Sequence, residues 1–108
     1  MKMLPDTVAK QAVSYNTANS GADSVVTLAA ASGTTHVVDW IAWSYATAPT
    51  SGSLTVTDGT TSFAIDVTAS GPGQLLFGDR GFGAVAAAAV TVTLADGTAA
   101  KKLSVGYR

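Results

Sequence analysis

The side chain best suited to proton transfer at neutral pH is histidine, and the chain holds one, His36. It sits near the start of an apolar run, with no nucleophile or orienting acid beside it in sequence, so a structural or solvent-facing role is expected. No Gly-x-Ser-x-Gly occurs, and the serines fall mostly in turns, so no Ser–His–acid set can be assembled. Asp39 lies between Val38 and Trp40 in the most apolar stretch. A carboxyl buried there would titrate high and serve as a general acid. The commoner role, and the one expected, is to cap a backbone group or face outward at an edge. Asp58, Asp66, Asp79 and Asp96 lack the dense spacing of a calcium loop. Two of them already have a turn role, in Asp58-Gly59 and Asp96-Gly97. The expectation is a protein that is not an enzyme, with no catalytic residue, metal or cofactor.

Residues 78–83 read Gly-Asp-Arg-Gly-Phe-Gly. They have the glycine content of a phosphate cradle but lack the following Lys-Ser/Thr and a helix to supply a dipole. The same loop is the best contact candidate, through Asp79, Arg80 and Phe82, because exposed Arg and aromatic side chains carry much of the energy at protein interfaces. The competing expectation is that Phe82 folds back to plug the end of the core and Arg80 is solvated. Trp40, Trp43 and Tyr45 could form a platform for a sugar ring. They share one highly apolar strand, so core packing is expected instead.

A scaffold must position these residues, and composition bounds it. The chain has 108 residues, enough for one domain with one core. Charged residues make up only 12%, about half the usual share. There is no Glu, β-branched residues abound, and strong helix formers other than Ala are scarce, which favours strands. The net charge of −1 and the absence of a basic stripe argue against nucleic acid. A surface poor in charge and rich in Thr and Ser favours association, so an oligomer or lattice component is expected. With no Cys, disulfides and thiolate metal sites are excluded. The first residues, Met1-Lys2-Met3-Leu4-Pro5, lack a signal-peptide core, and no run reaches membrane-spanning length. Synthesis in the cytoplasm and no membrane partner are expected.

Residues 1–7 read as an N-terminal arm, broken by Pro5 and Asp6, and residues 8–108 as one β-sandwich domain. Apolar runs at 8–15, 24–30, 34–46, 53–57, 62–67, 74–77, 88–95 and 101–107 alternate with turn-rich separators. Eight short runs predict an all-β, two-layer antiparallel β-sandwich that is jelly-roll-like. The run 34–46 is apolar on both alternating faces, Val38 and Trp40 on one, Val37, Ile41, Trp43 and Tyr45 on the other. Such a strand is central in a sandwich or covered by a neighbouring subunit. Residues 84–89 are read as a loop leading into a strand.

Two hairpins are predicted. A two-residue turn at Asp58-Gly59 pairs Thr57 with Thr60, Leu54 with Phe63 and Thr55 with Ser62. A four-residue loop at 96–99 pairs Val92 with Leu103, Val90 with Val105 and Ala88 with Tyr107. The latter register is preferred to one that sets Val92 opposite Lys101, because it leaves the ammonium in water. Leu54, Phe63, Val90, Val92, Leu103 and Val105 are the expected core.

Trp43-Ser44-Tyr45, the segment 48–59, Ala69-Ser70-Gly71-Pro72-Gly73, Arg80-Gly81, the segment 90–95 and Lys102-Leu103-Ser104-Val105 have a common texture. Over about residues 37–106, their order resembles small β-rich virion proteins of tailed bacteriophages. The resemblance implies a capsid decoration (cement) protein, or another virion accessory protein, acting as an oligomer, often a trimer and sometimes a dimer, seated on the virion surface where major capsid proteins meet. It also implies that the N-terminal arm, through Met3, Leu4 and Pro5, reaches onto neighbours. The alternative is a carbohydrate- or receptor-binding module of a phage fibre or a bacterial surface protein.

Overall fold

Alternating apolar and polar residues bury one face of a strand and expose the other. The computed structural model has eight such strands: β1 (Ala12–Ala18), β2 (Ser24–Leu28), β3 (Val38–Tyr45), β4 (Gly52–Thr57), β5 (Ser62–Val67), β6 (Gly71–Leu76), β7 (Val90–Leu94) and β8 (Lys101–Tyr107). It describes residues 12–30, 32–33, 35–78, 81–83 and 88–108, among which there is no helix. The expected arm at 1–7, the start of the first run at 8–11, Asp79, Arg80 and residues 84–87 lie outside them.

The strands form two antiparallel four-stranded sheets, β1-β8-β3-β6 and β2-β7-β4-β5. First pairs with last, second with seventh, third with sixth and fourth with fifth. This nested ladder, rolled over itself, is the strand order of a jelly roll. The pairs β3–β8 and β4–β7 close each sheet.

The core lies between the sheets. Ile41, Tyr45, Leu103 and Val105 project from one, and Val26, Leu28, Leu54, Val56, Val90, Val92 and Leu94 from the other. Of the six expected core residues, five are fully buried and Phe63 is half-buried against them.

The Asp58-Gly59 hairpin differs from expectation by two residues. Thr57 pairs with Ser62, Val56 with Phe63, Thr55 with Ala64 and Leu54 with Ile65, across a loop of residues 58–61. The longer loop is held by the Asp58 carboxylate. Its Oδ1 accepts the backbone N–H groups of Thr60 and Thr61 at 2.9 and 2.7 Å. A two-residue slip preserves which face each side chain takes, so Leu54 and Phe63 remain on the inner side.

The second hairpin does not exist. β7 and β8 belong to different sheets, and the chain crosses between layers at residues 95–100. Val92 is paired with Val26 and Val56, and Leu103 with Asn16 and Trp43. Lys101, expected in water, is 2% exposed. An ammonium can be buried when enough acceptors surround it, and the β1–β2 turn and the crossing together supply them, as shown below.

β3 also departs from simple alternation. Its register against β8 shifts between Val38 and Trp40, leaving Asp39 as the extra residue of a β-bulge. The bulge turns Val38 to the same side as Ile41 and Tyr45, all three buried, and separates it from Trp40. β6 runs through Gly71-Pro72-Gly73, which reads as a turn in the sequence. An edge strand has one side without ladder partners, so proline is tolerated there.

Candidate interaction surface

His36 and Asp39 are occupied structurally. His36 Nε2 donates to the Ala29 carbonyl at 2.7 Å, and its ring meets Tyr107 edge-on. Arg108 Nε donates to Asp39 Oδ1 at 2.9 Å, so the bulge carboxylate is paired with the C-terminal residue of the chain. Among the described residues no three His, Cys, Asp or Glu side chains converge as a metal site.

The sandwich end that holds the β7–β8 crossing is a buried polar staple. Lys101 Nζ donates to the carbonyls of Asn19 at 3.0 Å and Ala22 at 2.6 Å, and lies 3.5 Å from Asp96 Oδ1. Two hydrogen bonds and one ion pair thus hold the ammonium. Asp96 Oδ1 also accepts from Gly21 N, and Asp23 Oδ1 accepts from Asp96 N. Tyr45 Oη donates to the Ala95 carbonyl at 2.6 Å, and burial pushes its phenol up from the usual value. These bonds tie the β1–β2 turn to the crossing and leave no side chain directed at a ligand. Alternation along β8 sets Lys101 on the side of Leu103 and Val105 and Lys102 on the other, but nothing in the sequence shows the acceptors that let an ammonium take the inner side.

At the other end, Phe82 N–H donates to the Val38 carbonyl at 2.8 Å, and Val38 N–H donates to the Phe82 carbonyl at 2.7 Å. The Phe82 ring is half-buried, 5.4 Å from Phe63 and 5.7 Å from Phe77. Phe82 therefore closes this end of the core, as the second expectation for it held. Ala12 pairs with Tyr107, and Tyr107 with Val38, so the first described residue of β1 emerges at the same end as Phe82. Trp43 and Tyr45 face inward while Trp40 faces outward, so the three do not form one platform.

The two outer faces differ in kind. The β2-β7-β4-β5 sheet presents Val25, Thr27, Thr91, Thr93, Ser53, Thr55, Thr57, Ser62, Ala64 and Asp66, a hydroxyl-rich face suited to water. The β1-β8-β3-β6 sheet presents three rows. One is Val13, Gly106, Trp40 and Leu76; the next is Tyr15, Ser104, Ala42 and Gln74; the last is Thr17, Lys102, Ser44 and Pro72. Tyr15 is 75% exposed, Leu76 68% and Val13 57%. Lys102 is the only charge in the three rows. A Cβ on Gly106 would fall within the Trp40 indole, and one on Gly73 within that of Trp43. Each Trp therefore lies across a glycine of the neighbouring strand, one outside the sheet and one inside, and Trp40 levels the apolar row. Its exposed apolar side chains make this face the candidate interaction surface.

No protein-family model matches the chain, and neither the curated proteins nor the solved structures contain a significant match.

Proposed function

We propose that this protein is structural and adhesive: a homo-oligomeric capsid decoration protein of a tailed bacteriophage, which binds the major capsid protein and stabilises the shell. The observation that carries the reading is the Val13–Tyr15–Trp40–Leu76 face, an exposed apolar surface on a sandwich with little charge. The fold itself recurs in viral capsid and lectin domains, so it is compatible with the reading without selecting it. The resemblance in texture to small virion proteins adds the shell as the partner. Contacts to the shell come from the N-terminal arm, with Met3, Leu4 and Pro5, and from the loop 78–83, with Asp79 and Arg80. Ala12, the first described residue after the arm, and Phe82, in that loop, lie at one end of the sandwich.

The test adds purified protein to shells lacking it and follows their thermal disruption. Binding that raises the disruption temperature with occupancy supports the reading. Absence of binding overturns it. The exposed Tyr15 near Trp40 favours a second reading, a sugar-binding module. Saturable polysaccharide binding lost in Tyr15→Ala would establish that alternative.

A further inference from the structure

The apolar outer face has a shape and chemistry that fit a second copy of itself. We infer that the β1-β8-β3-β6 sheets of two protomers pack face to face about a twofold axis parallel to the strands. This deepens the adhesive reading by naming the partner of that face, and rests on it only for the claim that the face is covered.

Three observations point to a self-partner. The first is the asymmetry of the sandwich: large exposed apolar side chains crowd one outer face, while the other is lined mainly by hydroxyls. The second is area. Four strands about 4.8 Å apart and three rows about 6.7 Å apart give a face of about 400 Å² before side-chain relief. Two such faces make about 800 Å² in projection, and protruding side chains expose more surface than they project, which brings the pair near the roughly 1,000 Å² that a specific interface needs.

The third is self-complementarity. A twofold axis along the strands reverses strand order across the face but keeps each row in place. Val13 of one copy then meets Leu76 of the other, and Gly106 meets Trp40. Tyr15 meets Gln74, giving its hydroxyl a polar neighbour. Lys102 meets Ser44, not the other Lys102, and its row lies at the end of the face beside a shallow recess formed with Thr17 and Ser44. The ammonium can reach water from that rim. No like charges are forced together. With the axis along the mean direction of the two sheets, each copy's strands tilt about 15° to either side of it and cross at about 30°, the usual aligned packing.

The mass of the purified full chain, measured by sedimentation at micromolar concentration without shells, tests this. The expected result is a dimer. Tyr15→Asp and Leu76→Asp should each weaken the dimer at least about tenfold, while Thr27→Asp on the hydroxyl-rich face leaves it unchanged. Circular dichroism verifies that each variant remains folded. The chain has no Cys, so register can be read by disulfide capture. Mixing Val13→Cys protein with Leu76→Cys protein should give a crosslinked pair. A wild-type monomer, a dimer indifferent to both Asp substitutions, a trimer, or no crosslink from the mixture overturns the inference. A monomer that still binds shells would overturn it, and the oligomer in the decoration reading with it, and leave shell binding standing; a dimer that ignores shells would do the reverse.

Discussion

Lys101 shows how much one side chain can hold. Its ammonium gathers two carbonyls and a carboxylate from segments far apart in sequence. Lys101→Ala would leave the Asn19 and Ala22 carbonyls without that donor, and hydrogen bonds to a charged group contribute about 1.5–3 kcal/mol each. A loss of about 2–3 kcal/mol in urea unfolding is expected, against a near-neutral result for Lys102→Ala, whose side chain is exposed. Asp58 makes a pH-dependent contribution. The N–H groups of Thr61 and Thr60 hold its carboxyl below the usual range. A depressed folded-state value means the stabilisation is present above the unfolded carboxyl's pKa of about 3.9 and is lost as pH falls through the folded value. Asp58→Asn should therefore be less stable than wild type at pH 7, with the gap between their melting temperatures closing in acid. For Tyr45 burial acts first, raising the phenol. Its contribution is present below about pH 10 and is lost as pH rises through the folded value, so Tyr45→Phe should remove part of the alkaline destabilisation.

At the scale of the strand, parity and partner are separate properties. Val92 is inward in the expected hairpin and inward in the observed sheet, because alternation along β7 decides its face whichever strand lies beside it. Val92→Ala should cost about 2 kcal/mol through lost burial and the cavity left behind, read as a lowered urea midpoint with unchanged slope. The bulge at Asp39 is the device that breaks parity in β3. Without it, Val38 would follow Trp40 outward. Paired as it is with Arg108, the bulge fixes which aromatic side chain is left outside. Gly106 makes room for that side chain. Gly106→Ala should displace the Trp40 indole from the sheet and roughen the apolar row. The expected readout is weaker self-association with a shift in Trp fluorescence.

For the whole molecule, the two outer faces differ: one is rich in hydroxyls, and the other carries the exposed Val13, Tyr15 and Leu76 on which the proposed self-association rests. With few charges, encounter is weakly steered, so shell binding should change only mildly between low and physiological salt. Removing residues 1–7, or Arg80→Ala, should weaken shell binding in a pull-down with purified heads. Phe82→Ala should act differently. Its ring packs on Phe63 and Phe77, so the melting temperature should fall along with any loss of binding.

Alternation and turn residues in the sequence were enough to specify an all-β sandwich, the positions of most strands and the inward residues Leu54, Val90, Val92, Leu103 and Val105. These properties are local: a period of two and a turn-forming residue act over a few positions. β8 is legible to its ends for that reason, and β6 was foreseen only from Gln74, because Gly-Pro-Gly reads as a turn unless the strand is known to be at an edge. Strand partners depend on contacts between segments tens of residues apart. Hence Asp96-Gly97 reads as a hairpin, although the chain there crosses between sheets. The burial of Lys101 depends on acceptors at residues 19 and 22, in the β1–β2 turn, which only the folded chain sets beside that crossing. The exposed face was half legible, as a strand apolar on both sides. Only the folded sheet sets Val13 and Tyr15 beside Trp40 and Leu76, because hydrogen bonding across four strands joins residues that the sequence keeps apart.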